Sequence, residues 1–94
     1  LPGEFEISEI LVTGFYSRPE IVVYRITIDD LTLVHFGILE NMPDSKLFEQ
    51  IGENIDLAII CLSEKCNGKL AKDVIDTMDP RMVLLGGDPK FYPE

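Results

Sequence analysis

The sequence predicts a fold of the α+β or α/β class, with one mixed β-sheet and helices on one of its faces. Two patterns lead to this prediction. Apolar and polar residues alternate in the first part of the chain, which is typical of antiparallel strands with one buried face. The later part contains two continuous apolar runs separated by a helical pattern, which is typical of parallel strands joined by a crossover helix.

The N-terminal segment predicts two short strands. Phe5 and Ile7 alternate with polar neighbours, and the apolar phase then shifts by one residue at Ile10. Glu9 therefore marks either a bulge or a tight turn between the strands. We expect Gly14 to end the second strand.

The most regular alternation covers residues 21–28, after a turn-like stretch at 17–20, and predicts a strand. Asp29 and Asp30 separate it from a second apolar stretch, residues 31–36, so we expect a two-residue hairpin. The loop length sets which residues face each other. The predicted pairs are Ile28–Leu31, Ile26–Leu33 and Tyr24–His35 on one face, and Thr27–Thr32, Arg25–Val34 and Val23–Phe36 on the other. The first face is strongly apolar and the second is mixed.

The second half of the chain predicts helices alternating with strands. A loop with an N-cap candidate precedes a short helical stripe that Gly52 is expected to end. Residues 57–62 and 82–85 show no polar alternation, which predicts strands buried on both faces. Residues 69–78 predict a helix that ends at Pro80, so we expect the two strands to be parallel with a right-handed crossover.

Composition limits the class of protein. The chain has 94 residues, 46% of them hydrophobic, which is enough for one domain spanning residues 1–94 but not for two. Seventeen acidic and eight basic residues give a net charge of −9, which disfavours nucleic acid and anionic membranes as partners. No apolar run is long enough to span a bilayer. We therefore expect a soluble, cytoplasmic protein. A start at Leu1 also fits a processed piece or a segment of a longer protein.

The two cysteines are too few for a disulfide scaffold, and we expect reduced thiols, leaving open whether they ever pair. Cys61 ends an apolar run and is expected in the core, whereas Cys66 lies in a polar stretch and is expected to be exposed. With a single histidine, His35, they cannot complete a closed four-ligand zinc site. No cofactor is therefore expected.

Four segments, in this order, resemble the second half of the metallo-β-lactamase superfamily, in the branch similar to ascorbate-6-phosphate lactonase. Residues 2–7 and 11–14, PGEFEI and LVTG, resemble its PGEYE strand and the V-x-G strand after it. Residues 23–37 are similar to its Y-x-I, D-G-L and H-x-G-D hairpin. Residues 51–60 resemble I-G-x-V-D-x-L-L-I, and residues 79–84 resemble the P-K-x-V-I strand. The resemblance implies that the sheet and its helices are half of an αββα sandwich.

The resemblance also implies a hydrolase family, in which one or two metal ions held by histidines and aspartates at strand ends activate a water. The metal ligands are replaced at three positions that match the family's motifs. Pro19 stands at the histidine of Ser-x-His-Asp, Ile38 at the aspartate of H-x-G-D, and Gly87 at the final histidine. The His-x-His-x-Asp-His cluster belongs to the family's first half. His35 and Gly37 match, but that histidine is not among the family's main ligands.

Two further groups have both a chemical and a structural interpretation. Asp88 and Glu20 are weak candidates for a cation site at the strand ends, although loop carboxylates facing water are the simpler interpretation. His35 has the chemistry of a general base near neutral pH. A partly buried histidine that is hydrogen-bonded to Tyr24 or to the backbone is the simpler interpretation, because no nucleophile is predicted beside it.

In the full family fold two such halves pack sheet against sheet, so one half alone leaves an apolar face uncovered. The residues predicted on that face are Tyr24, Ile26, Ile28, Leu31, Leu33 and His35. We therefore expect a noncatalytic half-domain that acts as an assembly or interaction module, with a homodimer or a separate or N-terminal half-domain as its partner. The alternative is a metal-dependent hydrolase of the lactonase or phosphoester type, with zinc, manganese or iron ligands completed by an N-terminal half or a partner chain.

Overall fold

The computed structural model of the chain describes residues 4–7, 10–17, 19–88 and 90. These residues form one mixed sheet and two helices. The elements in chain order are β1 (Glu4–Ile7), β2 (Ile10–Tyr16), β3 (Ile21–Ile28), β4 (Leu31–Leu39), α1 (Ser45–Ile51), β5 (Leu57–Leu62), α2 (Gly68–Met78) and β6 (Met82–Gly87). The strands lie in the sheet in this same order. The first four are antiparallel, and β5 and β6 are parallel to β4, which confirms the predicted mixed sheet.

The N-terminal strands β1 and β2 are neighbours in the sheet, and the predicted bulge or tight turn at Glu9 lies outside the described residues. Ile7 pairs with Ile10 at the end of the antiparallel β1–β2 ladder, so only residues 8 and 9, which lie outside the described residues, connect them. The prediction that Gly14 ends the second strand is wrong. Gly14 pairs with Tyr24 inside the β2–β3 ladder, and β2 continues to Tyr16. Pairing with β3 keeps this glycine in the sheet despite its low strand propensity.

The central hairpin has the predicted register. All six predicted pairs between β3 and β4 are present, and Asp29 in the turn adopts a φ of 53°. The strand after the turn is longer than predicted, because β4 continues to Leu39 through an irregularity at Gly37. A Cβ on Gly37 would lie 3.2 Å from the Tyr24 ring, so the missing side chain gives that ring its space. The bulge keeps Leu39 on the same face as Phe36.

Both helices begin at the side-chain caps that local sequence favours. Asp44 accepts a hydrogen bond from the Leu47 backbone N–H at 2.9 Å, and Asn67 accepts one from the Leu70 N–H at 3.0 Å. Gly52 ends α1 with a φ of 89°, as predicted. In the described part of the chain, no helix is long and apolar enough to cross a membrane.

One face of the sheet and the inner sides of both helices form the core. It consists of Ile21, Val23, Val34, Phe36, Leu39, Leu47, Ile51, Ile55, Ala58, Ile60, Leu62, Cys66, Ala71, Val74 and Met78. Both helices therefore cover the same face, which confirms that part of the prediction. Arg25 lies on this face as well, and its Nη1 donates a hydrogen bond of 2.8 Å to the Ile51 carbonyl at the end of α1.

Candidate functional site

The sheet surface opposite the helices is built from rows of apolar side chains that follow the strand pairing. One row crosses five strands, from β2 to β6, and consists of Val12, Ile26, Leu33, Leu57 and Met82. The next row consists of Gly14, Tyr24, His35, Ile59 and Leu84. Shorter rows at the two ends consist of Ile10, Ile28 and Leu31, and of Tyr16, Val22 and Ile38. Cys61 and Gly86 continue the surface on β5 and β6. We call these residues the open face.

No residue of the open face is buried within the described part of the chain. Met82 is 67% exposed, Tyr16 58%, Leu31 56%, Leu84 55% and Ile38 41%. Core residues on the same strands are at most 5% exposed. The rows contain no charged side chain, although the chain as a whole is 27% charged. The open face is thus a continuous apolar surface that no described helix or strand covers.

The six residues predicted to form an uncovered face all lie on this surface and in the predicted register. The extension of this surface onto β2, β5 and β6 was not predicted from the sequence. It also predicted that β5 and β6 are buried on both faces, which is wrong for the described residues, because Ile59 is only half-buried and Met82 and Leu84 are exposed. The period of two in a strand would have separated residues 57, 59 and 61 from 58, 60 and 62.

Tyr24 and His35 face each other at the middle of the open face. His35 is half-buried, as expected, but neither side chain makes a hydrogen bond within the described residues, so the predicted bond between them is absent. The other direct neighbour of His35 in the ladders is Ile59. No carboxylate is paired with the imidazole there to orient it as a general base.

A second region of interest is the strand-end edge, which we define as the edge of the sheet where β4, β5 and β6 end and β3 begins. The topology brings Pro19, Ile38 and Gly87 to this edge, before β3 and near the ends of β4 and β6. Gly87 has a φ of 85°, and a Cβ there would lie 2.7 Å from the Leu62 backbone nitrogen. A histidine at this position would require the backbone to move, because side chains are strained at that φ and the space is filled. The side chains at these three positions do not fit a metal ion.

The weak cation-site candidates, Glu20 and Asp88, are at the strand-end edge but on different strands. With β4 and β5 between them, strand spacing alone separates them by about 14 Å. Asp88 Oδ1 accepts a hydrogen bond from the Lys90 N–H at 3.1 Å. One Glu20 carboxylate oxygen is buried and has no hydrogen-bond partner among the described residues. These residues include no cluster of three histidine, cysteine, aspartate or glutamate side chains suited to a metal.

The structure reverses the expected environments of the cysteines. Cys61 is exposed on the open face, and Cys66 is buried in the core. The Cys66 N–H donates to Ser63 Oγ at 3.1 Å, and the Ser63 N–H donates to the Cys66 carbonyl at 2.9 Å, so the polar loop closes with Cys66 in the core. Burial, and then the nearby Cys61, raise the pKa of the Cys66 thiol. Both thiols are free, and they line a shallow cavity of about 220 Å³.

Comparison with known proteins identifies the architecture. No protein-family profile matches the sequence, and no curated protein matches it. The chain is similar to a crystal structure from Thermotoga maritima described as a Zn-dependent hydrolase of the metallo-β-lactamase superfamily, with a TM-score of 0.82 and 19% identity. The match covers 97% of this chain and 49% of that chain, so this chain spans about half the length of the structure it matches. The fold is therefore that of half a metallo-β-lactamase-like protein.

Proposed function

We propose that this chain is a noncatalytic half-domain of the metallo-β-lactamase fold that acts as an assembly module through its open face. The observation that carries this proposal is that the sheet has apolar side chains on both faces, while the helices pack on only one of them. The runs in β5 and β6 are apolar on both sides, as strands buried between two layers are. The described helices nevertheless cover only one side of β5, and Met82, Val83 and Leu84 of β6 are exposed. A second apolar layer over the open face resolves that mismatch.

The size of the surface supports the same proposal. The open face lies on five strands, β2 to β6, whose spacing of about 4.8 Å gives a width of about 19 Å, and the eight residues of β3 span about 27 Å. Because the outer strands are shorter, the flat area is roughly 400–500 Å². Patches of about 300–600 Å² are the largest on typical monomers, and larger ones mark interaction sites. The flat area of the open face lies within that range, and the protrusion of its side chains adds to the accessible area.

The strand-end edge supports a noncatalytic role. Metal-dependent hydrolysis needs ligands that hold the ion and leave a position for water. Proline, isoleucine and glycine supply no such side chain, and the backbone at Gly87 leaves no space for one. We also propose a cytoplasmic location, which fits two free thiols.

A metal-dependent hydrolase is the second candidate, because the similar structure is described as a Zn-dependent hydrolase. In this case an N-terminal half or a partner chain would provide the ligands for zinc, manganese or iron. The present chain would then contribute scaffold and, at most, the carboxylates of Glu20 and Asp88 at the strand-end edge.

Metal content and mass in solution, measured on the purified 94-residue chain, separate the two candidates. We expect well below one ion per chain after incubation with zinc, manganese or iron and gel filtration. We also expect a mass larger than that of one chain. Stoichiometric metal that is lost in Asp88→Ala and Glu20→Ala, but retained in the exposed control Glu49→Ala, would contradict the proposal and favour the hydrolase.

A further inference from the structure

We infer that the open face is covered by a second copy of this chain, related by a two-fold axis that passes near Tyr24 and His35. This inference rests on the proposed function, because it names the occupant of the proposed assembly surface. The pairing is isologous, so each copy presents the same open face to the other and the assembly closes at two chains.

Charge is the first argument for a second copy. Each chain carries a net charge of −9, so two copies repel each other over most of their surfaces. The open face is the exception, since its rows contain no charged side chain. Exposed acids such as Asp73 and Asp76 lie on α2, which packs on the opposite side of the sheet. Contact through the open face keeps these acids away from each other.

The arrangement of polar groups is the second argument. On this largely aliphatic surface, Tyr24 and His35 are paired residues at the middle of the two central strands. Both side chains can donate and accept hydrogen bonds, and neither makes one within the described residues. A two-fold axis at this point places one Tyr24–His35 pair against the other, where hydroxyl and imidazole can bond reciprocally. A second copy therefore supplies hydrogen-bond partners for Tyr24 and His35, and no other ligand is needed.

The available area is the third argument. A standard protein interface buries about 800 Å² of accessible surface on each partner. The open face has a flat area of roughly 400–500 Å², and the protrusion of its side chains raises the accessible area above that value. The open face of a second copy is thus large enough to cover this surface, and the pairing leaves no large apolar area exposed on either copy.

The mass of the 94-residue chain, followed by analytical ultracentrifugation over a range of concentrations, tests the inference. We expect a monomer–dimer equilibrium. Leu84→Glu and Leu31→Glu, at exposed positions on opposite parts of the open face, should each raise the dimer dissociation constant at least about 100-fold, because they bury a charge. Gln50→Glu adds the same charge on an exposed position of α1 and should leave it within about 3-fold.

Cross-linking tests the position of the axis. In a Cys61→Ser background, His35→Cys should be linked to its own copy by a short bis-maleimide, because residues near a two-fold axis meet themselves. Leu84→Cys, at the edge of the sheet, should give far less cross-linked dimer. Linkage at position 84 without linkage at position 35 would overturn the proposed axis. In the unmodified chain, alkylation of Cys61 should slow as the concentration rises through the dimer range.

The outcomes separate this inference from the proposed function. A chain that stays monomeric, reacts rapidly at Cys61 and binds a hydrophobic dye strongly would overturn the second copy but leave an open assembly surface. A monomer that binds no dye and protects Cys61 would overturn both, since the face would then be covered from within the chain. A series of oligomers that grows with concentration would overturn the closed two-fold pairing.

Discussion

The two faces of the sheet carry similar apolar residues, but only one of them is buried beneath the helices. Ile59 and Ile60 are neighbours on β5, yet Ile60 is fully buried beneath the helices while Ile59 is half-buried on the open face. Both helices lie on one side because the chain leaves β4 and β5 toward the same face each time. The contrast shows that residue type alone does not tell which side of this sheet the helices cover.

The largest expected change in the free energy of unfolding is at Ile60, and Ile59 provides the comparison. Ile60→Ala removes a fully buried side chain and leaves a cavity, so we expect it to lower the free energy of unfolding by about 3–4 kcal/mol. Ile59→Ala should cost less than about 1.5 kcal/mol in dilute monomer, because water already reaches that side chain. Urea unfolding at low protein concentration measures both values. Equal losses in dilute monomer would mean that the open face is covered within the chain.

Restoring a ligand at the strand-end edge is the second test. Gly87→His places a side chain where φ is 85° and the Leu62 backbone fills the space, so we expect a loss of about 3 kcal/mol. Ile38→His, at a position that is 41% exposed, should cost less than about 1 kcal/mol. Thermal unfolding with and without zinc checks both variants. A stable Gly87→His variant whose melting temperature rises with zinc would show that the edge still fits a metal site.

On the face covered by the helices, the Arg25 side chain donates a hydrogen bond to the end of α1. Arg25→Met removes the 2.8 Å hydrogen bond to the Ile51 carbonyl and leaves the C-terminal end of α1 without it, so we expect a loss of about 2 kcal/mol. Lys69→Met removes an exposed charge on α2 whose ion pair is solvent-screened, and should cost less than about 0.5 kcal/mol. If the two variants unfold at the same urea concentration, the Arg25 bond does not hold the helix.

The helix caps give a smaller effect. Asp44→Ala and Asn67→Ala each remove the acceptor for one backbone N–H at a helix start, and we expect each to cost about 1 kcal/mol. Glu49→Ala, in the middle of α1 and exposed, is the matched control and should be nearly neutral. Circular dichroism during urea unfolding reports the difference. A cap variant as stable as the control would show that tertiary packing alone sets that helix boundary.

The smallest expected effect is a difference in thiol reactivity. Cys61 is exposed, whereas burial and the nearby Cys61 raise the pKa of the Cys66 thiol and reduce its thiolate fraction. In dilute monomer, iodoacetamide should modify Cys61 first and Cys66 more slowly. Raising the pH toward and above the ordinary thiol pKa should speed up the reaction of Cys66, because more thiolate forms. Mass spectrometry of tryptic peptides identifies each site, and modification of Cys66 before Cys61 would contradict the loop geometry.

Local rules accounted for much of the fold. The two-residue loop at Asp29 and Asp30 set the register of all six predicted hairpin pairs. The N-cap candidate and Gly52 marked the ends of α1, and the run from residue 57 to 62 predicted β5 within its observed bounds. The six residues predicted from Tyr24 to His35 do share one side of the sheet, because alternation assigns side chains to sides of a strand before any packing is known.

Tertiary contacts decided what local rules could not. Gly14 stayed within a strand because it pairs with Tyr24 on the neighbouring strand β3. The environments of Cys61 and Cys66 were reversed because a strand's alternation and a loop's hydrogen bonds direct them, not the polarity of their neighbours. The filled space beside Gly87 depends on the approach of β5, twenty-five residues away in sequence.

The sequence by itself determined the strands, the hairpin register, the helix caps and the absence of charge from one side of the sheet, because these depend on residues close together in the chain. Only the tertiary structure decided which apolar side the helices cover, since both sides of β5 offer similar apolar surface and only the path of the connections distinguishes them. The open face is the side left over. Its apolar residues are explained when a second layer, which we propose to be another copy, completes the burial that one chain begins.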